Sequence, residues 1–451
     1  FVGAGGQNYF VGGDGIDELD YSGVSSAISV ELRNIIAADN GEGSWDRIYS
    51  VENVRGSGFN DTMIGDDGVN ALWGGDGADK IEGDGGADVL DGGAGRDRVS
   101  YFSSAAGVTV SLMSGVLGIG GDAAGDQLSN FEDISGSGFA DHLSGDGGDN
   151  RLDGYGGDDV FVGGAGHNYF VGGAGIDEID YSGASARVVV NLSQDWAQDN
   201  GEGNWDRIYT VENIRGTALG DNIVGDAAAN EIWGGDGADV LEGLGGADTL
   251  HGGDGADTLS YYNSALGVTV DLLTGAVSGG DAAGDQIDGF ENISGSNTGN
   301  DTLTGDSNAN LLLGRGGNDV LDGGAGADLL VGGAGDDTYG FSRGGGTDIV
   351  DNIGESASDD VVLFGSTIDY DQLWFRQVGN DLEVSVIGTT DSVTIDEWYS
   401  GTSNRLDFDD GNGYTLDAAN VDALRSVMAS FDPPAIGETE LSSSATDYSA
   451  V

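Results

Sequence analysis

The sequence contains no cysteine and only two prolines in 451 residues. The lack of cysteine excludes disulfide bonds and thiolate metal sites. The scarcity of proline excludes a collagen-like chain and argues against a disordered linker. No run of about 18 apolar residues is present, so the sequence predicts no transmembrane helix and no membrane insertion. No signal peptide is predicted at the start of the sequence.

Basic residues are scarce as well, since 15 lysines and arginines stand against 79 acidic residues and the net charge is −64. This charge disfavours nucleic acid and anionic membranes as partners. Self-repulsion also opposes compaction, so a folded chain would need counter-ions. A disordered acidic protein is the alternative. The regular spacing of residues described next argues against disorder, and we therefore expect bound cations.

What the sequence has in abundance is glycine, 87 residues at regular spacing. From Gly225 to Ser260 the chain reads as four nine-residue repeats, GDAAANEIW, GGDGADVLE, GLGGADTLH and GGDGADTLS. Twenty-two such repeats occur in the chain. Their eighth residue is always apolar, and their sixth is aspartate in sixteen and asparagine in six. This period predicts a solenoid with a thin core.

The repeats form blocks of five, at residues 56–100, 136–180, 216–260 and 296–340. Spacers of about 35 residues separate the blocks, each with an alternating strand-like run and a closing Glu-Asn-Ile-like step. Segments recur after 160 residues, and more weakly after 80, so the four units of about 80 residues are related in pairs. We predict that residues 1–20 are the end of a preceding block, with 21–180 and 181–340 as two unit pairs.

The nine-residue repeats, called nines below, stop after residue 340. Short alternating runs predict a small β domain over residues 341–416, which would cover the open sheet edge of the last coil. Asp417 is predicted to cap a helix that runs to about Phe431 and is stopped by Pro433.

The pattern G-G-x-G-x-D-x-U-x, in which U is apolar, predicts a tight turn followed by a three-residue strand. Two repeats would make one coil of 18 residues. The sixth-position carboxylate would join main-chain carbonyl oxygens as a hard ligand, which suits Ca²⁺. The candidate sixth-position ligands are Asp17, Asp61, Asp79, Asp88, Asp97, Asp141, Asp159, Asp177, Asp221, Asp239, Asp248, Asp257, Asp301, Asp319, Asp328 and Asp337.

The second repeat of every block differs, because asparagine occupies its sixth position and aspartate its second. These second-position aspartates, Asp66, Asp146, Asp226 and Asp306, are further candidate ligands. We predict that the turn of this second repeat holds its ion differently from the turns of the other repeats, or holds no ion.

These repeats resemble those of the RTX family, the haemolysin-type calcium-binding repeats of secreted bacterial proteins. Residues 341–416 are similar to the β domain that follows such repeats, and residues 417–451 resemble an uncleaved type I secretion signal. The resemblance implies an all-β fold: a right-handed parallel β-roll solenoid with a small C-terminal β cap and a short helix. It also implies folding on roughly ten to twenty Ca²⁺ ions and export by the type I secretion machinery.

No catalytic constellation is recognisable, and we expect no enzyme within these residues. Gly340–Gly344 spells G-x-S-x-G, but a nucleophile elbow needs a downstream histidine, and His142, His167 and His251 all lie upstream. No H-E-x-x-H motif is present. Carboxylates saturated with calcium could not act as general acids.

Two related loops, 39–46 and 199–206, stand out from the spacers. Their acidic residues could hold an extra calcium ion. Alternatively, Trp45 and Trp205 could stack on a sugar or a partner, or could simply pack against the roll. We favour packing and leave the other two readings open.

The sequence predicts a secreted calcium-binding protein, extracellular or on the cell surface, with a structural, surface or adhesive role. Its partners would be cell-surface or matrix polysaccharide or copies of itself. The alternative is the C-terminal folding and export module of a secreted protease, lipase or polysaccharide-modifying enzyme. Residues 3–20 match the end of a repeat block, so we expect further chain upstream, and its content would separate the two hypotheses.

Overall fold

The computed structural model describes residues 1–3, 5–352, 359–400, 405–431, 433–434 and 436–437. The chain divides into two compact units, Phe1–Thr217 and Ala218–Val451. Each unit is built mainly of parallel sheets with the strand pairing of a parallel β-roll. The domain boundaries predicted at residues 20, 180, 340 and 416 remain predictions.

Each nine-residue repeat folds as a turn followed by a short strand. Glycine allows the turn: Gly75, for example, has a φ of 111°, which few other residues adopt. Within the four blocks each strand pairs in parallel with a strand 18 residues away, so that Met63 pairs with Ile81 and Leu72 with Leu90. Alternate strands therefore belong to opposite sheets, and two repeats make one coil, as predicted.

The eighth residues of the repeats form the core between the two sheets. All of them except Phe10 are at most 1% exposed. Burying a Leu, Ile, Val or Phe side chain is worth about 1.5–3 kcal/mol. A single row of side chains along each roll thus supplies much of its hydrophobic stabilisation.

The spacers continue the coils and widen them. Val30 pairs in parallel with Met63, and Val110 with Leu143, so each spacer strand adds to the sheet of the following block. The spacers 21–55, 181–215 and 261–295 also contain an antiparallel hairpin, such as Ile28–Glu31 with Ile36–Asn40 in the first, which the sequence analysis did not predict.

The strands of the first unit are Tyr9–Val11, Glu18–Asp20, Ile28–Glu31, Ile36–Asn40, Asp46–Tyr49, Asn53–Arg55, Thr62–Ile64, Ala71–Gly77, Lys80–Glu82, Val89–Gly95, Arg98–Ser100, Thr109–Ser111, Gln127–Ser129, Asp133–Ser135, His142–Ser144, Arg151–Gly156, Val160–Val162, Tyr169–Ala174, Glu178–Asp180, Val188–Asn191, Trp196–Asn200, Asp206–Tyr209 and Asn213–Arg215. Its short 3₁₀ turns are Gly121–Ala123 and Leu192–Gln194.

The strands of the second unit are Asn222–Val224, Glu231–Gly237, Val240–Glu242, Thr249–Gly255, Thr258–Ser260, Thr269–Asp271, Ala276–Ser278, Gln286–Asp288, Asn292–Ser294, Thr302–Thr304, Leu311–Gly316, Val320–Asp322, Leu329–Ala334, Thr338–Phe341, Thr347–Val350, Val361–Phe364, Leu373–Val378, Asp381–Val386, Ser392–Ile395, Asp407–Asp409 and Thr415–Leu416. Its 3₁₀ turns are Gly280–Ala282 and Tyr370–Gln372.

Beyond the last nine, the parallel roll continues before an antiparallel cap begins. Val361–Phe364 still pairs in parallel with Thr338–Phe341. The strands Leu373–Val378 and Asp381–Val386 then form an antiparallel hairpin. The nines therefore end earlier than the roll does.

The helix Ala418–Met428 begins after Asp417, as predicted, and ends before the predicted Phe431. It packs against the hairpin, where the Phe375 N–H lies 3.3 Å from Met428 Sδ. Residues 438–451, which form much of the predicted secretion signal, lie outside the described residues. Within the described part of the chain, no helix is long and apolar enough to cross a membrane.

Candidate metal centres

The sixth-position aspartates form columns, because successive coils place them one above another. The Asp61 N–H donates to Asp79 Oδ1 at 2.7 Å, and the Asp79 N–H donates to Asp97 Oδ1 at 2.8 Å. Equivalent bonds join Asn70 to Asp88, Asp141 to Asp159, Asp221 to Asp239 and Asp301 to Asp319. One carboxylate oxygen of each aspartate thus holds the preceding coil in register.

The other carboxylate oxygen, Oδ2, is buried without a hydrogen-bond partner in eleven of these aspartates. They are Asp17, Asp79, Asp88, Asp97, Asp159, Asp177, Asp239, Asp248, Asp257, Asp319 and Asp328. A carboxylate oxygen buried with neither a donor nor a cation is costly. A bound cation would remove this cost.

Main-chain carbonyl oxygens converge on the same places. A Cβ built on Gly74 would overlap both Asp79 Oδ2 and the carbonyl oxygen of Gly92, one coil further on. Gly314 is placed in the same way between Asp319 Oδ2 and the carbonyl oxygen of Gly332. The glycine therefore keeps open a cradle lined by hard oxygen atoms, and this donor set fits Ca²⁺.

Side chains alone would not reveal these centres. Among the described residues, no group of three or more His, Cys, Asp or Glu side chains is placed to hold a metal ion. The reason is geometric, because a turn offers one carboxylate and its remaining candidate ligands are main-chain carbonyl groups. Calcium accepts such carbonyl oxygens readily.

Burial raises the pKa of the column carboxyl groups, and repulsion by neighbouring aspartates adds to the effect. The pKa rises from 3.8 to about 7 at Asp79 and Asp88, and to about 8 at Asp159. Without a cation, these groups therefore retain protons near neutral pH. A divalent cation would have to displace those protons.

In the first repeat of a block the carboxylate already has partners. Ser57 donates its N–H to Asp61 Oδ2 at 2.5 Å and its hydroxyl to Asp61 Oδ1 at 2.8 Å. The same two bonds join Ser137 to Asp141 and Ser296 to Asp301. These aspartates fit a cation less well than the eleven described above.

In the second repeat of a block an asparagine amide replaces the carboxylate. Asn70 Oδ1 accepts the Asp66 N–H at 2.8 Å, and Asn70 Nδ2 donates to the Glu52 carbonyl oxygen at 3.0 Å. Asp66 Oδ1 accepts the Gly68 N–H at 2.8 Å and so caps the turn. This arrangement favours an empty slot over an ion held differently. Equivalent turn-capping bonds are made by Asp146, Asp226 and Asp306.

A second set of buried aspartates lies in the spacers, and the sequence analysis considered only two of them, Asp46 and Asp206, as loop residues that could hold an extra calcium ion. Asp126 Oδ1 accepts the Asp88 N–H at 2.9 Å, so Asp126 takes the next position in that column. Its Oδ2 accepts the hydroxyl of Tyr101 at 3.0 Å. The pair recurs as Tyr21–Asp46, Tyr181–Asp206 and Tyr261–Asp285. A tyrosine followed 24 or 25 residues later by aspartate in every spacer was the available signal.

The spacer loop 39–46 uses its acidic groups within the structure. Asn40 Nδ2 donates to Asp46 Oδ1 at 3.1 Å, and Glu42 Oε1 accepts the Ser25 N–H at 3.1 Å. The loop 199–206 repeats both contacts. These bonds weaken the hypothesis of an extra calcium ion in the two loops.

The tryptophans of these loops pack beside arginine. Trp205 lies 5.7 Å from the Arg207 guanidinium and 4.7 Å from the His167 ring, and it remains 42% exposed. Trp45 lies 5.7 Å from the Arg47 guanidinium. The structure thus supports packing, and the exposed part of Trp205 keeps ligand contact open.

Comparison with known proteins agrees with this site. A family model described as the RTX calcium-binding nonapeptide repeat (4 copies) matches residues 51–81, 64–99, 135–170, 162–180, 215–250, 233–261, 296–321, 304–339 and 313–350. A model described as the haemolysin-type calcium binding protein related domain matches residues 381–418. Among solved structures, the extracellular lipase LipA from Serratia marcescens matches with 21% identity and a TM-score of 0.17. That match covers 58% of this chain and 37% of the lipase chain.

Proposed function

The chain belongs to the RTX family of calcium-binding repeat proteins, and on that premise we propose that it is a secreted protein that folds on extracellular Ca²⁺. Its folded repeats would serve a structural, surface or adhesive role. Polysaccharide of the cell surface or matrix, or further copies of the chain, would be the partners.

One observation carries the proposal: eleven aspartates hold a buried carboxylate oxygen with no hydrogen-bond partner. Eleven calcium ions would bring about +22 to a chain whose net charge is −64. Extracellular calcium modules typically bind at about 10⁻⁴–10⁻³ M, far above the cytosolic calcium concentration. The chain would therefore stay unfolded before export and fold outside the cell.

Chelation tests this proposal. At pH 8 in EDTA we expect the circular dichroism spectrum to lose its strand signal, and millimolar Ca²⁺ to restore it. Equilibrium dialysis should then find about eleven bound ions per chain. Millimolar Mg²⁺ is the control, because it prefers rigid octahedral sites and should not restore the spectrum. Identical spectra in EDTA and calcium would refute the proposal.

The second candidate is a calcium-dependent folding and export module of a secreted enzyme. Under this hypothesis the reaction would be carried by residues outside the repeats, and the columns would only fold and export them. Assays of esterase, protease and polysaccharide-modifying activity on the natural full-length product would decide between the two candidates. Activity that disappears with EDTA would favour the enzyme module.

A further inference from the structure

We propose that each block of repeats ends in a composite calcium site, in which a spacer glutamate and a spacer carbonyl group complete the coordination begun by the last aspartate of the block. The pairs are Asp17 with Glu52, Asp97 with Glu132, Asp177 with Glu212 and Asp257 with Glu291. This inference rests on the proposed calcium function and adds glutamate ligands that the nine-residue pattern does not contain.

The glutamate takes the column position of the next aspartate. The Asp97 N–H donates to Glu132 Oε2 at 2.8 Å, just as the Asp79 N–H donates to Asp97 Oδ1 at 2.8 Å. The same bond recurs from Asp17 to Glu52, from Asp177 to Glu212 and from Asp257 to Glu291, at 2.8–2.9 Å. A carboxylate from the spacer thus continues each column.

The aspartate beneath the glutamate still needs a partner. Asp97, Asp177 and Asp257 are each 0% exposed, and their Oδ2 atoms have no hydrogen-bond partner. Nearby arginines do not supply the missing charge at Asp97, because Arg96 and Arg98 pair with Asp133. The site therefore combines a buried, unpartnered carboxylate oxygen with a second carboxylate.

A carbonyl oxygen from the spacer completes the cradle. A Cβ on Gly172 would overlap both Asp177 Oδ2 and the carbonyl oxygen of Thr210. Thr210 has a φ of 51°, a conformation that is unfavourable for a β-branched residue. The equivalent residues, two positions before each glutamate, are also left-handed: Ser50 at 51°, Asn130 at 55° and Gly289 at 70°.

Strained backbone persists where the surrounding structure holds it in place, often at binding sites. In all four spacers this left-handed residue places its carbonyl oxygen beside the glycine that lies five residues before the unpartnered aspartate, and in three of them the residue is not glycine. Two carboxylates and a carbonyl group make a hard oxygen set whose two negative charges match a divalent cation. Calcium is the ion we assign, because its flexible coordination tolerates a glutamate in place of the shorter aspartate.

Substituting these glutamates by glutamine distinguishes a role as a calcium ligand from a role in holding the main chain. The side-chain oxygen of Glu132→Gln can still accept the Asp97 N–H, but the variant loses the negative charge. We therefore test the chain with Glu52, Glu132, Glu212 and Glu291 all changed to glutamine. The control is Glu18→Gln with Glu178→Gln, since these glutamates bond Arg55 and Arg215 rather than the column.

Equilibrium dialysis at saturating Ca²⁺ should find four fewer ions in the quadruple variant than in the natural chain, and no change in the control. Unchanged ion number and affinity in the quadruple variant would overturn the inference, because the glutamates would then be main-chain anchors only. If the quadruple variant fails to fold, Glu132→Gln alone should lose one ion, and an unchanged count would again overturn the inference. A natural chain that binds no calcium would instead overturn the proposed function itself.

Discussion

Asp79 in the first block and Asp126 in the spacer that follows are both buried, and both accept a backbone N–H from the coil before. They differ at one atom. Asp79 Oδ2 has no hydrogen-bond partner, whereas Asp126 Oδ2 accepts the hydroxyl of Tyr101. In the nines, a diffusible cation would therefore supply the partner for Oδ2 that a tyrosine side chain supplies in the spacers.

The comparison suggests that calcium dependence is concentrated in the nines. The tyrosine hydroxyl is part of the chain, so Oδ2 of a spacer aspartate has a hydrogen-bond partner at any calcium concentration. Oδ2 of an aspartate such as Asp79 gains a partner only when an ion is bound. Spacers stabilised by Tyr–Asp hydrogen bonds would therefore alternate along the chain with blocks of repeats whose stability depends on calcium.

The largest expected effect is a pH dependence of the calcium-free protein. Asp79, Asp159 and Asp319 have pKa values raised to about 7, 8 and 7, so the folded state binds more protons than the unfolded chain. Their stabilising contribution is full below about pH 4 and is lost as the pH rises through 7–8. In EDTA we expect strand content and the urea midpoint to fall steadily from pH 5 to pH 8.

Calcium should reverse this trend, because protons and calcium compete for the same carboxylates. Apparent calcium affinity should therefore increase from pH 5 to pH 8 in a titration followed by circular dichroism. A urea midpoint in EDTA that stays level across this range would show that the buried carboxylates of the nines are not protonated. The contrast with the spacers would then lose its physical basis.

A substitution that fills one cradle should have the next largest effect. Gly74→Ala would place a Cβ against Asp79 Oδ2 and the Gly92 carbonyl oxygen, which we expect to cost about 1–3 kcal/mol and one bound ion. Gly138→Ala is the matched control, because its Cβ would meet no atom within 4 Å. Urea unfolding and equilibrium dialysis in calcium measure both quantities. Equal ion counts for the two variants would contradict the cradle.

Removing one tyrosine hydroxyl should lower the free energy of unfolding by an amount that does not depend on calcium. Tyr101→Phe leaves Asp126 Oδ2 buried and unpartnered, which we expect to cost about 1–3 kcal/mol. The loss should be the same at 1 mM and at 20 mM Ca²⁺ in urea unfolding. Tyr262→Phe is the control, since Tyr262 is exposed on the surface. A loss that higher calcium rescues would mean that the spacer aspartate can also take an ion.

The smallest effect is expected at Trp205, outside the columns. Trp205→Ala removes the packing on Arg207, worth about 0.5–1 kcal/mol, and should leave the number of bound ions unchanged. Binding to immobilised polysaccharides should also be compared with the natural chain. Unchanged binding would remove the ligand reading of this loop, whereas a clear loss would support it.

The period of nine was enough to predict the turn, the strand and the buried eighth residue, because all three depend on neighbours within one repeat. The same period gave the column aspartates, since residues 18 apart in sequence stack directly. It did not separate Asp61, which Ser57 satisfies, from Asp79, which has an unpartnered oxygen. That distinction depends on Ser57, which stands at the second position of the turn, where the pattern has glycine.

The spacers were harder to predict, because their important contacts cross between coils at irregular distances. The Tyr101–Asp126 bond spans 25 residues and the Asp97–Glu132 bond spans 35. Neither distance is a multiple of nine, so a period search passes over both. The hairpins of the first and third spacers were missed because their second strands, Ile36–Asn40 and Trp196–Asn200, do not alternate between apolar and polar residues.

The backbone bond from Asp88 to Asp126 spans 38 residues, whereas the corresponding bond from Asp61 to Asp79 spans 18. The coil therefore tolerates an inserted loop as long as the chain returns with an aspartate at the column. A gene segment that encodes the chain between two column aspartates can therefore be duplicated or lengthened without changing the neighbouring coils. Four units of about 80 residues that share one plan are what repeated duplication of such a segment would leave behind.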